Sequence, residues 1–229
     1  MKRIGIISLA MLLVIFVASA AMAQGFGFGK KKEDTAKVDV DGLSKQALSL
    51  ITKVQLANIT FGEGIVSIQE AVGKKEEAER LRQLIANAKE KKGDKNVTKE
   101  LVAEVNNATA SLSNVELGTQ INKEQAQKFL WTSVTNIGIG VILDGLAAKD
   151  ASDLLKEAQG ALKQVSFTSA GKVKDVIDVS QFIVKEIPPQ ASSLQKYSSK
   201  LIDYMKTNGI PTPSPESIKK AANEKLKEG

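Results

Sequence analysis

The chain has 229 residues, 42% of them apolar, 25% charged and 4% aromatic, with a formal net charge of +6. It contains neither cysteine nor histidine. That excludes disulfides, thiolate nucleophiles, Cys/His zinc sites, histidine-ligated haem and any His-based triad, and no cofactor is expected.

Residues 1–23 are organised as a secretory signal peptide. Lys2 and Arg3 form the charged start, Ile4 to Val17 a nearly unbroken apolar stretch, and Ala21-Met22-Ala23 a small-x-small cleavage pattern before Gln24. The apolar run falls short of a span of roughly 20 residues, so cleavage is expected in preference to a retained anchor. Its compact proportions are bacterial and predict a periplasmic or secreted protein. Cleavage removes 23 residues and two of the 32 basic ones, leaving 206 residues with 30 basic against 26 acidic side chains. A balance near +4 is mild and fits solubility better than nucleic-acid binding. A chain of that length buries a sizeable core without staples.

Residues 24–40 read as a flexible leader. Gly25-Phe26-Gly27-Phe28-Gly29 holds too much glycine for a regular element, and Lys30 to Asp34 is charged. Phe26 and Phe28 read either as an unstructured start or as a short docking motif. Residues 41–209 are then helical in pattern. Leu43, Ala47, Leu50, Val54, Ala57, Phe61, Ile65, Ile68 and Val72 recur at spacings of three and four, the stripe of an amphipathic helix. Gly62 and Gly64 mark a possible kink, and Gly73 a C-cap. A second helix is expected over Lys74–Lys92, with Glu76, Glu77 and Glu79 near its start and Lys89, Lys91 and Lys92 near its end, matching the helix dipole. A third is expected over Val97–Asn114, with Leu101, Val105, Ala108 and Leu112 at heptad-like spacing.

After a loop at Leu117–Ile121, Asn122 reads as an N-cap with Gln125 three residues on. It opens a fourth helix, 122–149, the most apolar segment of the mature chain. Only 15 residues separate Lys128 from Asp144, and Thr132, Ser133, Thr135 and Asn136 lie among them. The segment is therefore expected to be a buried core helix and not a membrane span. Asp150 opens a fifth helix through Leu154, Ala158 and Leu162. Residues 172–187 are rich in Val and Ile, so strand and helix are both live, with Val173, Val176, Ile183 and Ile187 favouring helix. Pro188-Pro189 should break the chain and seed a seventh helix with Leu194, Tyr197 and Leu201 on its stripe. Residues 210–229 read as a Pro-rich linker and a short polar helix capped by Ser214, marginal on its own. The fold class is thus all-α, an antiparallel bundle of about six to seven helices with a loose leader and tail.

Catalytic motifs are weak. Ser193-Leu194-Gln195-Lys196, Ser169-Ala170-Gly171-Lys172 and Ser217-Ile218-Lys219-Lys220 each match Ser-x-x-Lys, but the companion motifs are missing and three matches in a Ser/Lys-rich chain indicate coincidence. Asp39-Val40-Asp41-Gly42 resembles the start of a calcium loop without its distal Glu, and reads as a turn before a helix. Basic residues are spread among acids, so no nucleic-acid partner is expected.

The leading expectation is an exported non-enzymatic bundle that binds a protein or another envelope component, with self-association also open. The alternative is a carrier of an apolar ligand or lipid, in a cavity beside helix 122–149 lined by Phe129, Trp131, Ile137, Val141 and Ile142. Its glycines, 138, 140 and 145, either leave that cavity or are filled by neighbouring side chains. Without histidine, stability should vary little between pH 6 and 8 unless a buried carboxylate or lysine titrates there.

Overall fold

Six helices follow one another in the computed structural model, which describes residues 38–115, 117 and 123–228. The signal and cleavage residues, the leader to Lys37 and the Asn122–Gln125 capping pair lie outside the described residues or side chains. The helices are α1 (Val40–Ala71), α2 (Lys75–Glu90), α3 (Lys95–Ser113), α4 (Lys123–Leu162), α5 (Phe167–Thr207) and α6 (Pro215–Glu228). No strand occurs among the described residues.

Local chemistry sets the ends. Asp39 caps α1 by accepting from the Gly42 N–H at 2.8 Å, so the calcium-like tetrapeptide is a helix start. Asp94 caps α3 by accepting from the Asn96 and Val97 N–H groups at 2.8 and 2.9 Å. Gly73, Gly93 and Gly209 follow α1, α2 and α5 with positive φ. After Gly209, the Ile210 N–H returns to the Met205 carbonyl at 2.8 Å and the Ile210 side chain is buried.

Two expected boundaries are absent. Asp150 does not open a helix: α4 runs through it for 40 residues. The stripe Leu143, Ala147, Ala151, Leu154, Ala158 and Ala161 stays buried across the junction, and the Asp150 carboxylate instead meets the Lys53 ammonium at 2.9 Å. Nor do Pro188 and Pro189 break α5, which is helical over 41 residues. Each proline removes a backbone donor and crowds the carbonyl one turn back, a cost of about 3 kcal/mol. Burial of Ile183, Ile187, Gln190 and Leu194 on the flanking turns opposes that cost. The β-branched stretch 172–187 is helix for the same reason: Val173, Val176, Val179, Ile183 and Ile187 form one buried row.

α4 and α5 form a long antiparallel hairpin. α1 lies along both, the α2–α3 hairpin packs on α1, and α6 packs on α4. The seam between α1 and α4 is tight. The Ser133 hydroxyl lies 2.7 Å from the carbonyls of both Gly64 and Phe129. A Cβ on Gly64 would sit 3.2 Å from the Ser133 carbonyl oxygen. α1 runs unbroken through both glycines: Gly64 serves this approach to α4, while Gly62 makes room for Ile85 of α2.

Residues 210–228, read from sequence as a linker and marginal helix, belong to the same compact unit as the bundle, which begins at Val38. Ala222 of α6 is fully buried, and Ile218 lies over Gly138 of α4, where a Cβ would meet its Cγ2 at 2.8 Å. Gly138→Val is expected to lift α6 off α4. The measure is faster amide exchange at residues 215–228 with helicity elsewhere unchanged, and unaltered protection there would refute this docking mode.

Candidate functional site

The interior is divided by a polar layer. One apolar cluster joins residues 57–71 of α1, 130–143 of α4 and 194–205 of α5, together with α2, α3 and α6. The other joins 43–54 of α1, 147–161 of α4 and 173–187 of α5, with Val102 of α3. Asn58, Asp144 and Gln190, all buried, stand on α1, α4 and α5 at the division. Gln190 Nε2 donates to Asn58 Oδ1 at 2.9 Å and to the Val102 carbonyl at 3.3 Å, and Asn58 Nδ2 donates to the Val54 carbonyl at 2.9 Å.

Asp144 is 0% exposed, and neither carboxylate oxygen has a hydrogen-bond partner. The nearest ion pair described along this seam, Lys53–Asp150, lies six residues further on, about 9 Å of helix rise. Burial therefore pushes the Asp144 carboxyl well above the usual range. Burial likewise raises the Tyr197 phenol, whose hydroxyl is also unpartnered. Both groups are sealed in the core and open onto no described groove. Among the described residues no cluster of three potential metal ligands occurs.

The five residues expected to line a cavity beside α4 have different surroundings. Ile137 is fully buried, Phe129, Val141 and Ile142 are half-buried against the core, and Trp131 is 43% exposed. Trp131 borders an open surface groove with Gln127, Lys128, Thr132 and Pro211. The space left by Gly140 is filled by the Phe61 ring, whose nearest carbon lies 2.5 Å from where a Cβ would stand, and that at Gly138 by Ile218. The glycines thus admit neighbouring side chains. By length and composition Gln127–Leu162 meets the criteria of a membrane span, which core helices of soluble bundles also meet; 44% of its most apolar window is buried.

A different surface carries apolar exposure. Leu48 of α1 is 56% exposed and stands between two grooves. The larger, of about 380 Å³, has Leu48, Leu56 and Leu226 as apolar walls and Lys45, Lys53 and Lys92 at its edge. The α2–α3 turn that brings Lys92 there is held by Gln55, a buried amide used at both ends. Its Nε2 donates to the Lys91 carbonyl at 3.0 Å and its Oε1 accepts from the Gly93 N–H at 2.7 Å. Gly93 meets two demands: its φ is +76°, and a Cβ would stand 2.8 Å from Leu48 Cδ1. Leu48 and Leu56 are off the buried stripe. The available signal was two leucines eight residues apart on the polar side of α1, interleaved with Lys45 and Lys53 at the same spacing.

Elsewhere the helices are tied by surface ion pairs. Lys74 Nζ donates to Glu77 Oε1 and to Ser111 Oγ, both at 2.7 Å, which joins α2 to α3. The Lys74 hydrogen bond holds the Glu77 carboxyl below its ordinary range. Phe167, at the tip of the α4–α5 hairpin, is 97% exposed. No family model, curated protein or solved structure matches the chain.

Proposed function

We propose that the protein is an exported, non-enzymatic helical bundle that acts by binding another macromolecule in the cell envelope or outside the cell. The observation that carries this reading is Leu48. It is an aliphatic side chain more than half exposed, on a rigid helix, flanked by grooves and fixed from behind by Gly93 and the Gln55 clamp. Apolar side chains held rigidly at a groove edge, with polar groups around them, have the make-up of a contact surface. Support for export comes from Lys2, Arg3, the apolar stretch to Val17 and Ala21-Met22-Ala23. Support for a non-catalytic role comes from the sealed positions of Asp144 and Tyr197, which substrate cannot reach.

The test is a photo-crosslinking amino acid placed at position 48, and in a control at 185 on α5, in cells that export the full chain. A discrete crosslinked macromolecule at 48 and none at 185 is expected. Absence of any product at 48, or equal products at both positions, would overturn the assignment of this surface.

A further inference from the structure

We propose that the layer of Asn58, Asp144 and Gln190 is a proton-gated hinge: on losing its proton, Asp144 lets residues 147–187, the tip half of the α4–α5 hairpin, part from α1. This device stands independently of the interaction reading above.

Register puts the three groups on one level. The contacts Phe61–Gly140 and Lys53–Asp150 bracket Asp144 and set it opposite Asn58 of α1, and Gln190 of α5 donates to that same Asn58. The layer is short of donors. Both Asp144 oxygens and Gln190 Oε1 are buried without a partner, while Gln190 Nε2 is already shared between Asn58 and the Val102 carbonyl. Both long helices are weak here as well. In α5, Pro188 and Pro189 carry no N–H, so the carbonyls of Val184 and Lys185 lose their helical donors. In α4, Asp144 is followed by Gly145, the residue type least suited to a helix interior after proline.

The two halves are not held alike. The cluster on the 130–143 side also draws on α2, α3 and α6, whereas the other has only Val102 besides α1, α4 and α5. Its rim is tied by surface ion pairs, Lys53–Asp150 at 2.9 Å, Lys172–Asp41 at 3.0 Å and Lys95–Asp178 at 3.8 Å, a kind of contact that contributes little.

Among the described residues no charged group pairs with Asp144. On α1 the nearest are Lys53, held by Asp150, and Glu63, held by Lys89 at 2.8 Å. On α5 they are Lys185 and Glu186, exposed and paired with each other at 3.7 Å, and the Tyr197 phenol stands two turns beyond Gln190. On α6 they are Glu224, exposed, and Lys225, half-buried. Burial alone therefore keeps the carboxyl protonated while the layer is closed. The open form exposes it to water and releases the proton, so each pH unit raises the open population up to about tenfold.

The test is amide hydrogen exchange of the full chain at pH 6 and pH 8, read by mass spectrometry and normalised for the intrinsic pH dependence of exchange. Residues 147–187 are expected to lose protection by up to about tenfold per pH unit, with 57–71, 130–143 and 194–205 little changed. Asp144→Asn should abolish that loss. Asp150→Asn, which removes a surface carboxylate from the same helix, should retain it. Replacing both prolines, Pro188→Ala with Pro189→Ala, restores the two donors and should shrink the loss at 173–187. Equal loss in both halves, no loss between the two pH values, or a loss that persists in Asp144→Asn would overturn the proposal. The parent's own exchange pattern decides the first two outcomes, so the proposal remains open to refutation even where a variant fails to fold.

Discussion

Replacing Asp144 with asparagine is expected to raise the melting temperature at pH 8 and to leave it nearly unchanged at pH 4. The carboxyl is fully buried with both oxygens unpartnered, and desolvation lifts its folded pKa well above the ordinary 3.8. The sign follows from proton counting. Below about pH 4 the group is protonated in both states and imposes no ionisation penalty. As pH rises, the unfolded chain releases the proton while the folded chain keeps it, so stability falls, by at most about 1.4 kcal/mol per pH unit. Asparagine has the same shape and no proton to lose, so the slope disappears. The gain at pH 8 is the ionisation penalty accumulated above the unfolded pKa, at most about 1.4 kcal/mol for each pH unit, and each kcal/mol corresponds to roughly 2–4 °C in a chain of this size. Glu77 acts in the opposite sense: its lowered carboxyl contributes above its unfolded value of 4.5 and fades as pH falls, and its exposure keeps that contribution small. Thermal melts of parent and variant at pH 4, 6 and 8 decide the matter. Parallel curves would show that Asp144 does not titrate in this window. The flat response between pH 6 and 8 expected of a histidine-free chain is thus conditional on one buried carboxyl.

Gly140→Val should be among the most damaging single substitutions in the bundle. A Cβ at 140 would lie 2.5 to 2.8 Å from three carbons of the Phe61 ring, and Phe61 is itself fully buried. Overpacking costs about 1–3 kcal/mol, and contact with three ring carbons puts this substitution at the upper end, which lowers the melting temperature by roughly 6–12 °C. The better helix propensity of valine over glycine returns only a fraction of a kcal/mol. Phe61→Leu loosens the same spot. The double variant should therefore be less destabilised than the two single changes summed. Strict additivity would mean that the ring and the glycine do not compete for the same space.

Much of the fold was legible in the sequence, because periodicity reports a buried face directly. The rows Leu43 to Ile68, Ala78 to Ala88 and Leu101 to Leu112 are all buried where their spacing put them. Helix ends were readable where the signal is a local backbone requirement, as at the Asp39–Gly42 turn, Gly73 and Ser214, whose Oγ accepts from the Ser217 N–H at 3.1 Å, whereas the Asp94 cap, three residues before the expected start at Val97, was not read. Joins were not readable. An aspartate at 150 and two prolines at 188 and 189 are local stop signals, and the packing that overrides them comes from residues distant in sequence. The site was less legible still. Leu48 acquires meaning only when the α2–α3 turn and the end of α6 come to lie beside it. Residues from the apolar row of α4, expected to surround a hole, are spread between core and surface because Phe61 and Ile218 fill the glycine notches.

The prolines of α5 also bear on how the chain comes together. Severed from its neighbours, a peptide spanning Phe167–Thr207 would separate into two short coils of helix meeting at Pro188, since nothing intrinsic compensates the missing donors. The continuous 41-residue rod exists only where α1 and α4 already provide a bed for it. The continuity of this rod therefore reports its packing on α1 and α4 and not the intrinsic preference of its own sequence.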